Sequence, residues 1–492
     1  MTAVAGCLAG DNTGSEQEVR VGLGWRVLDS LDPIVSGLGS RVQLYESLIA
    51  LDHDGEFTPA LAESWGVAAD DRTWWFELRE DSVFHDGTPV EPAAVEWSLE
   101  RAFEEVSAFD PVPIESVGTD GARVTIRTEE PFAPLLGYLT LAEARIVSPA
   151  SVEDGSFVEP VSAGPFRFES WEPDESLTVS AFEEYYDGAP SVERVTYEFV
   201  HDDQTRALKL QNDELQLARS IPESSVPTLR QDSDVDLHVY DVPRMRFLVF
   251  NNADEPFDDL DVRKAINYAI DRDGIVAGPL EGLTEPAVGP VPPSLSRWAN
   301  DDLEGYEYDP DRATELLESA GWQAGEDGVR RRDGETFKVT LRGYDSHEIP
   351  AIAEVLQSQL ADVGVEMDIT ITEYAALSDA KQQGEFDFSM ESWATIMGGD
   401  LDRMLRYFHS TETLIDSGYQ NPRIDELIEE GRRTLDADER ATLYDQIQEI
   451  VLEEVPVAFL TYYARISGTR EELEGFRPHP IEYDVDLRDV RY

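Results

Sequence analysis

The groups of this chain that could ligate a metal, attack a carbonyl or move a proton are seven histidines, one cysteine and 102 carboxylates. Their spacing assembles none of the familiar reaction centres. There is no G-x-S-x-G nucleophile elbow, no H-E-x-x-H, no Walker glycine–lysine loop and no G-x-G-x-x-G opening a helix. His53, His85, His201, His238, His347, His409 and His479 include no pair at i and i+4, the spacing that sets two imidazoles on one helical face. A single cysteine excludes an intramolecular disulfide, a cysteine-built zinc site and an iron–sulfur cluster on this chain alone. Asp52 and Asp54 offer oxygens like those of a calcium loop, but the third acidic position and the distal Glu are missing, so Asp52–Gly55 reads as a tight turn. Carboxylates are so abundant that their proximity in sequence says nothing about acid–base catalysis. Aromatic groups remain: Trp25, Trp65, Trp97, Trp171, Trp298, Trp322 and Trp393 are spread along the chain, each able to fill a core or wall a ligand site.

Charge narrows the partners. Thirty-nine cations against 102 acids leave a formal net charge of −63. A surface so negative repels phosphate backbones, which sets nucleic acid aside. Only Lys209, Lys264, Lys338 and Lys381 are lysines. Acid excess with lysine loss points to a proteome adapted to concentrated salt. Cys7 follows Ala3-Val4-Ala5-Gly6 and precedes a polar run from Asp11 to Glu18, an arrangement that resembles a lipobox. The expectation is a lipid on Cys7 holding the chain to the outer face of a cell membrane, because no stretch approaches about 18 uninterrupted apolar residues.

The elements that must position any site read as α/β. At 492 residues, two to four domains are expected. Val19–Trp25 alternates as an opening strand, Val42–Leu51 reads as a short helix, and Thr73–Arg79 as a strand. Pro92 sits in the first turn of a helix whose stripe is Val95, Leu99, Ala102 and Phe103. Val124–Ile126 and Arg145–Val147 are short strands, and Phe166–Val200 is mostly strand, followed by a helix over Gln204–Asn212. Arg246–Phe250 is too apolar to be half exposed and belongs in the middle of a sheet. Asp261–Ile270 is helical. Ile352, Val355, Leu356, Leu360 and Val363 mark another helix, Gly364 stops it, and Val365–Ile371 then alternates, so the period changes from 3.6 to 2 within two residues. Phe386, Phe388 and Met390 give a further strand. Helices at about 422–434 and 437–454 precede a last strand pair near 456–467.

Several segments, in order, resemble one family. Leu44-Tyr45-Glu46-Ser47-Leu48-Ile49, Pro59-Ala60-Leu61-Ala62-Glu63-Ser64-Trp65 and Phe84-His85-Asp86-Gly87-Thr88-Pro89-Val90 come first. Ala163-Gly164-Pro165-Phe166, Tyr186-Asp187-Gly188-Ala189-Pro190, Asn251-Asn252 with Pro256-Phe257, and the run from Val262 to Arg272 follow. Ala320-Gly321-Trp322 and Asn421–Leu427 complete the series. Together they resemble the extracellular solute-binding proteins of ABC importers that serve oligopeptides and nickel. The resemblance spans about residues 40–460.

It implies a two-lobed α/β fold of the periplasmic-binding type that closes on its ligand by a hinge. The expected division is a tether at 1–18, a discontinuous lobe I at 19–44, 160–245 and 465–492, an inserted subdomain at 45–159, and lobe II at 246–464. The implied function is capture of an oligopeptide or dipeptide in the interlobe cleft and its delivery, chemically unaltered, to permease subunits. A nickel chelate is the alternative ligand, and an extracellular peptide hydrolase the reading from another class. No cofactor is expected, and the chain is expected to act as a monomer.

The resemblance also implies site residues. Arg145 falls where nickel-binding relatives hold chelator carboxylates with an arginine, and Trp393 matches a cleft tryptophan of theirs, with Phe109 standing for another. Asp400 or Asp402 would receive a peptide α-ammonium, and Trp25 is a further candidate wall. His409 lies near the position of a metal-coordinating histidine and counts only for the nickel reading. Ile396-Met397-Gly398-Gly399 replaces the Pro-Tyr segment of the nickel-binding relatives.

Overall fold

The computed structural model describes residues 18–25, 30–293, 297–394, 398–479 and 485–491. Cys7 and its lipobox-like tail lie outside the described residues. Ten strands form one sheet: β1 (Glu18–Leu23), β2 (Phe166–Glu172), β3 (Ser176–Ala181), β4 (Arg194–Phe199), β5 (Leu217–Arg219), β6 (Val235–Phe250), β7 (Lys338–Tyr344), β8 (Glu366–Thr372), β9 (Phe388–Ala394) and β10 (Val457–Arg470). In space they run β2-β3-β4-β1-β5-β10-β6-β9-β7-β8.

Two long strands carry the sheet from one lobe into the other. In β6, Val235–Val242 pairs with Tyr463–Arg470 beside β5, whereas Met245–Val249 pairs with Val457–Tyr462 and lies beside β9. The register slips between Val242 and Met245. Pro243 sits in that slip, where its missing N–H leaves no ladder bond unmade. The chain therefore crosses between lobes at one irregular point in each long strand.

The apolar density of residues 246–250 follows from packing on both faces. Leu248 and Phe250 face a core with the helices Leu260–Tyr268, Pro310–Ser319 and Ile349–Asp362. Met245, Phe247 and Val249 face a second core with the helices Pro422–Arg433 and Ala437–Glu454. The first lobe packs Val19, Val21 and Leu23 of β1 against Val195, Tyr197 and Leu177. A separate core belongs to the subdomain, whose antiparallel sheet runs Ala62–Val67, Thr73–Leu78, Arg123–Thr128, Ile114–Asp120 under the helix Pro92–Glu105. Val95, Leu99 and Ala102 are the buried side of that helix.

Three expected elements differ. Residues 42–48 are not helical: only Leu38–Arg41 makes a helical turn, and Gln43 has φ +59°. Its side chain donates to Asp486 at 2.9 Å and accepts from the Leu487 amide at 3.0 Å, contacts that pull it out of helical register. Arg145–Val147 forms only isolated bridges, Glu46 with Ile146 and Val147 with Ser162. The expected final strand pair is one unbroken strand, β10, because both ends find partners on neighbouring strands.

His85 shows why the Phe84–Val90 segment needs its composition. Its backbone N–H donates to the Ser162 carbonyl at 2.7 Å, its Nε2 donates to the Gly164 carbonyl at 2.9 Å, and its Nδ1 accepts from the Ser162 amide at 3.4 Å. Only the neutral ring satisfies both nitrogens, and burial holds its pKa down at about 4. The unfolded value lies near 6.5. Protonation therefore favours the unfolded chain: this stability is complete above about pH 6.5 and is lost as pH falls toward 4, by at most about 1.4 kcal/mol per pH unit. Urea unfolding from pH 7 to 4.5 should show that decline, and His85→Gln should flatten it; an equal slope in the variant would assign the decline to other groups.

Candidate functional site

The parallel strands β7, β8 and β9 all end at one edge of their half of the sheet. In open α/β sheets the carboxyl ends of such strands face the ligand crevice. Here that edge opens beside the crossing strands into a cavity of about 350 Å³. Tyr344 ends β7, Ser392, Trp393 and Ala394 end β9, and Arg244 lies on β6 within the register slip. Tyr374, from the first turn of the helix Tyr374–Gln382, and Tyr407 complete an aromatic wall with Trp393, which meets Tyr407 at 5.5 Å and Tyr374 at 6.3 Å between ring centroids.

Trp393 is held from behind. Its indole N–H donates to Glu391 Oε2 at 2.5 Å, while Oε1 of the same carboxylate accepts from Lys381 at 2.5 Å and from Ser389 at 2.6 Å. The Glu391 side chain is 0% and that of Lys381 5% exposed, so the wall rests on a dry ion pair.

The two lobes meet along a seam next to this cavity. Tyr138 of the subdomain donates to Asp402 at 2.8 Å, the Ala133 amide to the Arg432 carbonyl at 2.7 Å, and Arg433 pairs with Glu130 at 2.8 Å. Gly137 and Gly398 touch through bare backbone: a Cβ built on Gly398 would lie 2.0 Å from the Gly137 carbonyl oxygen. That close approach is what Gly398 permits in place of a bulkier residue. At the crossing itself, Arg246 pairs with Glu348 at 2.7 Å and lies 3.6 Å from Glu223 of the first lobe, with its guanidinium 4.3 Å from the centroid of the Tyr463 ring. Burial and the facing Glu348 push the pKa of the Glu223 carboxyl up, while Arg246 pulls it down.

The residues expected from sequence do not converge on one site. Trp393 lines the 350 Å³ cavity. Arg145 lines a different, smaller space of about 70 Å³ with Ser47, Thr140 and Glu46, and its guanidinium donates to Ser47 Oγ at 3.0 Å. Trp25 stands past the end of β1 between Arg41 and Arg219, which lie 5.0 and 5.6 Å from its ring. Phe109 is a correction: 2% exposed, it packs edge-on against Phe103 in the subdomain core and reaches no crevice.

Asp400 and Asp402 already have partners within the protein. Both are buried, Asp400 paired with Arg440 at 2.9 Å and Asp402 with Arg432 at 2.7 Å. His409 is buried and uses Nδ1 to accept from the amides of Thr411 and Glu412, both at 3.2 Å. Glu412 and Glu429 approach it closely enough to share a cation, but Arg432 already pairs with them at 2.7 and 3.3 Å. A metal there would compete with that guanidinium for the two glutamates. Sequence reasoning missed Arg244, Arg403 and the three tyrosines of the cavity; the position of Tyr344 at the end of a parallel strand was the usable signal.

Two lobes joined by paired crossing strands, with an aromatic-walled cavity at the strand ends between them, define a hinged binding protein. The chain belongs to the bacterial extracellular solute-binding proteins, family 5, whose description "family 5 Middle" matches residues 56–414. The glutathione-binding protein GsiB of Escherichia coli O1:K1 / APEC is 30% identical over 485 residues, 94% of this chain and 91% of that protein. Among solved structures, a nickel ABC transporter from Bacillus halodurans is 29% identical with a TM-score of 0.80, covering 96% of this chain and 100% of the other. The binding protein AgaA of A. tumefaciens R10, in complex with agropinic acid, is 26% identical with a TM-score of 0.79, covering 96% and 98%. Among the described residues no helix is long and apolar enough to cross a membrane.

Proposed function

We propose that this chain captures a short peptide in the cavity at the ends of β7 and β9 and delivers it intact to the permease of an ABC importer. The observation that carries this reading is the preformed aromatic cavity beside the hinge. At about 350 Å³ it lies at the small end of the range for ligand sites, about 300–1,000 Å³, which favours two or three residues over a long extended peptide. The GsiB relative, by name a glutathione binder, supports a ligand of that size. The moving bodies are residues 19–44, 160–245 and 465–492 with the 45–159 subdomain, against 246–464. A lipid on Cys7, action as a monomer and life in concentrated salt complete the proposal.

A nickel chelate is the second reading, favoured by the Bacillus halodurans likeness and by Arg145. Calorimetric titration of the purified chain with a synthetic tripeptide set and, separately, with nickel–histidine separates them. Micromolar or tighter binding of tripeptides, with the peptides recovered uncleaved, is the expected result. Binding of nickel–histidine alone would replace the peptide reading, and recovery of cleaved peptide would restore the hydrolase.

A further inference from the structure

An acidic chain has lined this cavity without acid. Asp and Glu make up 102 of 492 residues, yet the ten described lining residues carry two arginines, one histidine and no carboxylate. Arg403 is the informative one. Its Nη1 is buried and has no hydrogen-bond partner among the described residues. The nearest acids in sequence are spent elsewhere, Asp402 on Arg432 and Tyr138, Asp400 on Arg440. A buried donor left unmatched costs stability, and a charged one costs more. Arg403 lines the cavity, and a small shift of its side chain brings that donor to an incoming acceptor.

The position is suited to that role. Arg403 also borders a small void at the seam with Gly137, Tyr138 and Leu141 of the facing subdomain and with Asp400 and Asp402, whose carboxylates are paired with Arg440 and Arg432. A guanidinium fork matches a carboxylate in two parallel hydrogen bonds. Asp400 and Asp402 already carry arginine partners, whereas Arg403 has no acid partner among the described residues.

We propose that the ligand is an anion, a short peptide or peptide-like acid whose carboxylate seats on Arg403, and that a free amino terminus is not required. This rests on the peptide reading above and specifies it. The probes are acetyl-Ala-Glu-Ala as free acid, its C-terminal and side-chain amides, and acetyl-Ala-Lys-Ala amide, titrated calorimetrically into the full chain. The free acid is expected to bind at least tenfold tighter than the doubly amidated and lysine forms. Arg403→Gln should erase that preference, Arg403→Lys should keep part of it, and the ligand-free melting temperature of Arg403→Gln should hold or rise, because Nη1 has no partner among the described residues. A residue with a merely structural role would lower that temperature. Equal binding of amidated and acid forms, or an unchanged acid affinity in Arg403→Gln, overturns the anion proposal and leaves the peptide receptor standing. Failure of every probe, and of the same tripeptides with free amino termini, overturns both.

Discussion

Lys381→Met is expected to destabilise the lobe built on β7–β9 by about 3–5 kcal/mol, the cost of breaking a buried ion pair by removing one partner. Lys381 and Glu391 are both shut off from water and 2.5 Å apart. Without the ammonium, the buried Glu391 carboxylate keeps only its hydrogen bonds from Ser389 and Trp393 and loses its counter-charge. Replacing both partners, Lys381→Met with Glu391→Gln, should recover much of the stability, because no unmatched charge remains and the Gln carbonyl still accepts from Trp393. Guanidinium unfolding followed by tryptophan emission checks this. A loss below about 1 kcal/mol in the single variant would mean that water already reaches the pair. The functional consequence follows from the same contact: Glu391 fixes the Trp393 indole, so the single variant should also weaken ligand binding even where it remains folded.

Gly398→Ala is expected to hold the lobes apart. Gly398 has φ +71°, and its added Cβ would fall 2.0 Å from the Gly137 carbonyl oxygen across the seam and 2.6 Å from Thr140 Oγ1. Backbone cannot yield as a side-chain tip can, so the closed contact is lost rather than strained. Gly384→Ala is the control: φ is +70°, and a Cβ there meets nothing within 4 Å. Both variants carry the same left-handed penalty, about 1–2 kcal/mol. The difference between them isolates the seam. Ligand affinity should fall at least a hundredfold in Gly398→Ala and stay near that of the parent in Gly384→Ala. Equal affinities would show that the seam contact is dispensable for capture.

Elements set by local pattern were legible in the sequence. The Ile349–Asp362 helix, its stop at Gly364 with φ +83°, and the alternation that follows were all readable from period and chirality. Elements set by distant partners were not. Val42, Tyr45, Leu48 and Ile49 have helical spacing, yet residues 42–48 are held by Asp486 and Leu487, more than 400 positions away, and by Ile146. The strand character of Arg246–Phe250 was plain, whereas its continuation back to Val235 was hidden by Pro243, which reads as a strand breaker. The site shows the same division. Trp393 could be placed because it follows a strand. The neutralisation of Asp400 and Asp402 could not be foreseen, since Arg440 and Arg432 come from helices 40 and 30 residues further on. Arg403 went unnoticed for the same reason: beside Asp402 in sequence it looks already paired.

The central claim is that the two lobes swing on β6 and β10 and clamp the ligand between them. Its most direct measurement is the distance between fluorophores on Glu184→Cys and Glu315→Cys, exposed positions in opposite lobes, with Cys7→Ser removing the native thiol. The free protein should show a broad, longer distance, and saturating acetyl-Ala-Glu-Ala should narrow and shorten it toward the separation in the structure described above. Calorimetrically complete binding with an unchanged distance would contradict the account.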